Sequence, residues 1–166
     1  MNTPQFKQYI QQVKVNARVL SEELMKKGHK LVTNGTENHL LLLNVRDLGL
    51  TGSKFEKMCD EIHITLNKNT ILGDQSAVTP GGVRIGTPAV TTRGYVEADM
   101  KQVANFLDEA AKLSIDIQKS CGSKKLQDFL TAIPKDARVK QLGNNVQDFS
   151  MQFDIPGFDA SKIEKF

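Results

Sequence analysis

Two long segments with helical periodicity, separated by short apolar runs, limit the folds that this chain can adopt. In residues 6–24, apolar side chains recur at steps of three and four. Thr3 is placed to cap this helix, Pro4 to fill its first position and Gly28 to end it. A second long helix is predicted over residues 96–119, with acidic residues in its first turn and lysine in its last. Helices of this length must bury an apolar stripe against another layer of structure.

The segments between and after these helices complete the predicted order of elements. Strands are predicted at residues 31–32, 39–45, 62–66 and 83–87, and shorter helices at residues 52–62 and on either side of Pro134. The strand at residues 39–45 is continuously apolar in its middle, which predicts a central strand or one covered on both faces. Residues 67–82 lack periodicity and are predicted to form a long loop, a feature that is often functional. We therefore predict one α+β domain over residues 1–166, with two layers: a small, mostly antiparallel sheet covered on one face by helices.

Charge and composition exclude several classes of protein. The 22 basic residues are interleaved with 19 acidic ones, aromatic residues are few, and the net charge is only +3, so a nucleic-acid partner is not expected. No apolar run is long enough to span a membrane or to form a secretory signal. Cys59 and Cys121 are expected to be thiols in a reducing compartment. His29, His39 and His63 lack the spacing of metal ligands, so no metal site is predicted.

Arg84 is the first candidate for a functional side chain. The alternation of a strand places Arg84 on one face and its apolar neighbours on the other, with Gly82 and Gly86 on the same face as Arg84. Glycine in a strand often marks the close approach of a ligand, and a guanidinium can bind a carboxylate through two parallel N–H groups. An ion pair with an acid on a neighbouring helix is the alternative, and the pattern alone leaves both interpretations open.

Asn67, Lys68 and Asn69 form the second candidate group, followed by Gly73 and Asp74 in the predicted loop. Asparagine side chains offer donors and acceptors together, as recognition of a heteroaromatic ring edge requires. Asparagine and glycine are also common turn formers, and the pattern alone favours this ordinary turn chemistry as the explanation.

Several of these stretches together resemble the C-terminal part of the serine hydroxymethyltransferase family, pyridoxal-phosphate enzymes of fold type I. The resemblance is carried by TENHL at residues 36–40, NKNT at 67–70, GD at 73–74, GVRIGTPA at 82–89 and TRG at 92–94. Thr3-Pro4, Phe6-Lys7, Tyr9, Gln12-Val13 and Asn16-Ala17 fit the family as well, whereas the likeness after Ser120 is loose. Leu72 departs from the family, which usually has proline before the Gly-Asp pair.

The resemblance implies an activity and roles for particular residues. The family interconverts serine and glycine and moves the one-carbon unit to tetrahydrofolate. Arg84 would bind the carboxylate of the amino acid substrate, with Arg93 as a second substrate-binding or structural arginine near the site. Asn69 would bind the pterin ring of the folate, and Ser76 and Ala77 would lie near its tail. The supporting residues would be Gly82, Gly86, Asn67 and Lys68.

The resemblance also indicates what is missing. The family's cofactor, pyridoxal 5'-phosphate, is bound by a lysine in a Thr-His-Lys context, and His29-Lys30 lacks that context. The chain is therefore interpreted as the small domain with its N-terminal connecting helix, without the large cofactor-binding domain. We expect no catalytic residue and no turnover from it alone. The parent would be a cytoplasmic or mitochondrial homodimer or homotetramer. The alternative interpretation is a free-standing α+β module that binds a small carboxylate.

Overall fold

A computed structural model describes residues 3–157, so both ends of the predicted domain, residues 1–2 and 158–166, lie outside the described residues. The helices of the described part are α1 (Pro4–Lys26), α2 (Gly52–Glu61), α3 (Pro88–Thr92), α4 (Glu97–Ser120), α5 (Leu126–Ala132) and α6 (Ala137–Ser150). The strands are β1 (Lys30–Leu31), β2 (Leu40–Asn44), β3 (Asn67–Asn69) and β4 (Gly82–Gly86), and short 3-10 helices cover Arg46–Leu48 and Ile133–Lys135. None of the helices within residues 3–157 is long and apolar enough to cross a membrane.

The strands form one four-stranded antiparallel sheet in the order β1–β2–β4–β3. Side chains of successive residues point to opposite faces, and residues paired across two strands share a face. One face is deeply buried beneath the helices; it carries Leu41, Leu43, Val83 and Ile85. The other face is open, with half-buried leucines on β2 and exposed Arg84 on β4. The predicted α+β domain with helices on one face is confirmed, and β2 is central as expected.

The core lies between the buried face of the sheet and the helices α1, α2 and α4. α4 contacts α1, α2 and α6, so it is the centre of the helical layer. The apolar stripes predicted from the sequence supply this core; its fully buried members include Leu20, Leu24, Phe55, Met58, Met100 and Leu107. Burial of such stripes, rather than helix propensity alone, stabilises helices of this length.

The predicted ends of α1 are confirmed. Thr3 caps the helix, because its Oγ1 accepts a hydrogen bond from the backbone N–H of Phe6, and Pro4 occupies the first turn. The helix ends at Lys26, and Gly28 follows with a φ of +89°, a left-handed conformation that glycine adopts without strain.

The third strand does not lie where the apolar residues suggested. The strand predicted at residues 62–66 is wrong: His63 has a φ of +64° and the N–H of Ile64 donates to Cys59 O, so this stretch is the turn that ends α2. The strand follows at Asn67–Asn69, which pairs with β4 at the edge of the sheet. Its polar sequence suits a short edge strand, which needs backbone pairing more than apolar side chains. The loop predicted from residue 67 is accordingly shorter.

α3 was not predicted from the sequence. The strand predicted at residues 83–87 is confirmed as β4, and Pro88, two residues after its end, starts a helix of five residues. Proline is favoured at the first position of a helix because it has no N–H group to leave unpaired and its φ is already helical. The predicted separation of the C-terminal helices at Pro134 is confirmed, since Pro134 lies in the 3-10 helix between α5 and α6.

Candidate functional site

Arg84 stands in the middle of β4 on the open face of the sheet. It lies opposite Leu42 of β2 and opposite Asn67 of β3. The residue is exposed, and its guanidinium forms no hydrogen bond or ion pair with any residue between 3 and 157. The ion pair with a helix acid, which the sequence left open as an alternative, is therefore absent from the described part of the chain. Among the described residues, no partner therefore competes with an anion for this guanidinium.

The two glycines beside Arg84 differ in what surrounds them. At Gly86, a β-carbon would meet only Pro88 Cδ at 3.6 Å and His39 O at 3.7 Å, which are ordinary contacts. At Gly82, a β-carbon would lie 2.4 Å from Ile71 Cγ2 and close to two backbone carbonyl oxygens. There is thus open space beside Arg84 at Gly86, whereas Ile71 fills the space at Gly82.

The residues of β3 face in different directions. Asn67 shares the open face with Arg84, its cross-strand partner, and is exposed. Lys68 belongs to the other face, where its Nζ lies 3.1 Å from Glu56 Oε2 and its N–H donates to Glu56 Oε1. Asn69 is half-buried, pairs with Gly82, and donates from Nδ2 to Thr70 O at 2.6 Å. Asn67 and Asn69 therefore border Arg84, and Lys68 fastens the strand to α2.

The loop between β3 and β4 is held at its base by Asp74. The Asp74 carboxylate accepts hydrogen bonds at 2.8 Å from the N–H groups of Gly81 and Ile71, and at 3.0 Å from Arg46 Nη1. These donors stabilise the ionised form and lower the pKa of Asp74, with the backbone of Gly81 the largest cause. Arg46 also donates to Leu72 O. Sequence analysis missed Arg46, because nothing in the local pattern links it to a residue 28 positions later.

Ser76 and Ala77, the predicted neighbours of a folate tail, are exposed in this loop. Ser76 Oγ accepts a hydrogen bond from the N–H of Val78, which gives the tip a local turn. Leu72 and Val78 are among the most exposed apolar side chains of the described residues, at 91% and 82%. The loop therefore combines a base fixed by Asp74 with a tip that presents its side chains to solvent.

Arg93 binds the C-terminal segment. Its Nη2 donates to Ser150 O at 2.6 Å and to Phe153 O at 2.9 Å, and its Nε donates to Asp154 O. The guanidinium also lies 5.9 Å from the ring centre of Tyr95. A cation at the C-terminus of a helix is favoured by the unpaired carbonyls there, so Arg93 caps α6. The structure does not bring it together with the open guanidinium of Arg84.

The remaining titratable candidates lie in the body of the domain. Burial raises the pKa of the Cys59 thiol well above its ordinary value. His29 is buried, with Nε2 3.0 Å from Asp108 Oδ1. Burial alone would raise the pKa of Asp108, but hydrogen bonds from Lys112 and His29 oppose this and lower it overall. Within residues 3–157, no group of three or more histidine, cysteine or acidic side chains could hold a metal ion.

Comparisons with known proteins give the context of this site. The family model for serine hydroxymethyltransferase matches residues 1–107. Serine hydroxymethyltransferase 4 of Arabidopsis thaliana is 52% identical over 163 residues, which cover 98% of this chain and 34% of that protein. The mitochondrial serine hydroxymethyltransferase of Candida glabrata is 44% identical, and the cytosolic enzyme of Neurospora crassa 43%; each match covers 93% of this chain and 33% of the relative.

The family model ends at residue 107, whereas the match to the Arabidopsis protein covers 98% of this chain and so includes residues after Ser120. The chain spans about a third of the length of the curated relatives it matches. From the family model and these identities, we conclude that the chain belongs to the serine hydroxymethyltransferase family.

Proposed function

We propose that this chain is the C-terminal small domain, with its connecting helix α1, of an enzyme that interconverts serine and glycine and transfers the one-carbon unit to tetrahydrofolate. The observation that carries the proposal is the guanidinium of Arg84 on the open face of the sheet, which has no hydrogen-bond or ion-pair partner within residues 3–157. Its planar fork binds both oxygens of a carboxylate at once, which fixes the orientation of an amino acid as well as its position. Arg84 therefore binds the substrate carboxylate.

The folate contacts in this proposal come from the residues that border Arg84. Asn69 offers an amide at the edge of the open face, and the exposed loop tip with Ser76 and Ala77 extends from the same strand. The base of the loop is fixed by Asp74, so the tip starts from a defined position. Arg93 takes a structural role here, because its guanidinium already binds backbone carbonyls.

Pyridoxal phosphate does not fit the open face of this chain by itself. A Schiff base needs a lysine amine directed at the substrate. Lys68 lies on the opposite face in an ion pair with Glu56, and Lys30, which shares the open face with its partner Asn44 at the other end of the sheet, is in an ion pair with Asp47. We therefore assign the cofactor to a large domain outside this chain. The complete enzyme is proposed to be a homodimer or homotetramer, in the cytosol or the mitochondrion, where relatives of both kinds occur.

The proposal is tested in a full-length chimera that carries this chain in place of the matching third of the Arabidopsis protein. Arg84→Lys replaces the fork by a single ammonium, so the KM for serine should rise and kcat/KM should fall by about tenfold to a hundredfold. Arg138→Lys is the matched control, because Arg138 belongs to α6 and its guanidinium binds Asp136 and Asp116, neither of which belongs to the sheet.

Near-normal kinetics for Arg84→Lys, or an equal loss for the Arg138 variant, would refute the role of Arg84. The chain without the rest of the enzyme should not turn over serine, whatever the state of Arg84. If it bound small carboxylates tightly with no large domain present, the free-standing binding module would be the better interpretation.

A further inference from the structure

One face of α1 holds the segment that follows β4 through a ladder of polar contacts. Tyr9 OH donates to Pro88 O at 3.3 Å and lies 3.0 Å from Thr92 Oγ1. One turn further along α1, Val13 O accepts a hydrogen bond of 2.8 Å from Thr87 Oγ1. The next attachment, at Asn16, again lies on the same face, because positions separated by about one turn are aligned along a helix.

Asn16 is the most deeply buried of these α1 residues, with no exposed surface. Its Nδ2 donates to Thr91 Oγ1 at 2.9 Å and to Tyr95 O at 2.8 Å, and its Oδ1 accepts from Gln12 Nε2 at 2.9 Å. A backbone carbonyl can only accept, so the nitrogen of the amide must face Tyr95. The donors and the acceptor of the side chain are therefore all engaged.

The contacts continue from Asn16 to the strand that carries Arg84. Thr91 Oγ1 donates to Thr87 O at 2.8 Å, and the N–H of Thr87 donates to His39 O, extending the pairing of β2 with β4 by one residue. Thr87 directly follows β4 and lies three positions after Arg84. A path of directional, buried hydrogen bonds thus joins the middle of α1 to the end of the Arg84 strand.

We propose that Asn16 is a positioning residue for Arg84, setting the orientation of β4 and α3 relative to α1. The apolar stripe of α1 supplies contact area, but apolar packing tolerates small shifts, whereas a fully satisfied polar network permits one alignment. The alignment matters because a guanidinium binds a carboxylate through two hydrogen bonds only when both N–H groups point at the carboxylate oxygens. The functional part of this inference rests on the proposed role of Arg84.

Hydrogen exchange on the 166-residue chain tests the alignment without reference to activity. In Asn16→Ala, backbone amides from Thr87 to Tyr95 should exchange about tenfold faster. Amides in the middle of α4, which exchange only through global unfolding, should slow or speed up only as much as the overall stability changes. Ser21→Ala is the matched control: Ser21 is equally buried on α1, but its hydroxyl bonds Arg18 O within the same helix. The control should leave the 87–95 amides unchanged.

A second pair of variants decides the question if Asn16→Ala does not fold. Thr91→Val removes the hydroxyl that accepts from Asn16 with little change of shape, and Thr91→Ser keeps it. The path is supported if these amides exchange faster in Thr91→Val and return to the original rate in Thr91→Ser. Equal exchange in both, or the same pattern in Ser21→Ala, overturns it.

Kinetics of the chimera separate this inference from the proposed function. Asn16→Ala and Thr91→Val should raise the KM for serine about threefold to tenfold with kcat per folded enzyme unchanged, and Thr91→Ser should restore it. A merely structural role would lower the folded fraction and leave KM as it was. If Arg84→Lys is impaired while these variants keep a normal KM, the positioning role is wrong. If Arg84→Lys is normal, the proposed function fails, and hydrogen exchange alone decides the alignment.

Discussion

Alanine substitution at the two glycines that flank Arg84 is expected to change the stability of the fold in opposite directions. In Gly82→Ala, the new methyl group would lie 2.4 Å from Ile71 Cγ2, 3.1 Å from Leu43 O and 3.2 Å from Asn69 O. Two of these atoms are backbone of the neighbouring strands, so relief requires the sheet itself to move. In Gly86→Ala, the shortest contact would be 3.6 Å, and nothing has to move.

The difference can be expressed as a free energy of unfolding. Overpacking of a tight site costs about 1–3 kcal/mol, and the Gly82 contacts place this variant at the upper end of that range. Alanine at Gly86 restricts the unfolded chain without strain in the folded one, which stabilises by roughly 0.4–1 kcal/mol. The two variants should therefore differ by about 3 kcal/mol, although each adds one methyl group on the same face of one strand.

Urea titration of the two variants, followed by circular dichroism, measures this difference. A double-mutant cycle with Ile71→Ala gives the cause, because removal of Cγ2 takes away the shortest contact and should recover part of the Gly82→Ala loss. Equal midpoints for the two glycine variants would refute the steric argument. So would strict additivity of Gly82→Ala with Ile71→Ala, since it would mean that the two groups do not interact.

Two further predictions concern titratable groups. The pKa of Asp74 is lowered in the folded chain, so the stability that this carboxylate contributes is complete above its ordinary pKa of 3.8 and is lost as the pH falls through the folded pKa. In acid denaturation, Asp74→Asn should therefore make the free energy of unfolding depend less on pH. Burial raises the pKa of Cys59, so iodoacetamide at about pH 8 should modify half-buried Cys121 in the native chain and reach Cys59 only after unfolding. If mass spectrometry detected rapid modification of Cys59 in the native chain, this prediction would be wrong.

The sequence predicts those parts of this fold that depend on repeating apolar positions or on local capping. The periodicity of α1 and α4, the cap at Thr3 and the stop at Gly28 each depend on residues within a few positions. The alternation around Arg84 is equally local, and it placed this side chain on the face opposite the core.

The features that could not be predicted depend on contacts between distant segments. β3 has a polar sequence and is a strand because β4 supplies its backbone partners. Ile71 fills the space at Gly82 because the loop folds back over the start of β4, which no local pattern reveals. Asn16 lies among apolar positions of α1 and finds its partners some 75 residues later, so its role becomes evident only in the folded chain.

The sheet with one bare face has a consequence for the strength of its arginine. In water, two opposite charges about 4 Å apart attract with only about 1 kcal/mol, whereas the same pair near a protein surface with less water gains roughly four times as much. Dissolved ions weaken the exposed pair further. Arg84 will thus hold a free amino acid poorly until some other surface displaces the solvent around it. A surface that covers this face is therefore expected to raise the affinity of Arg84 for its ligand. By thermodynamic linkage, the bound ligand should stabilise the covered state to the same extent.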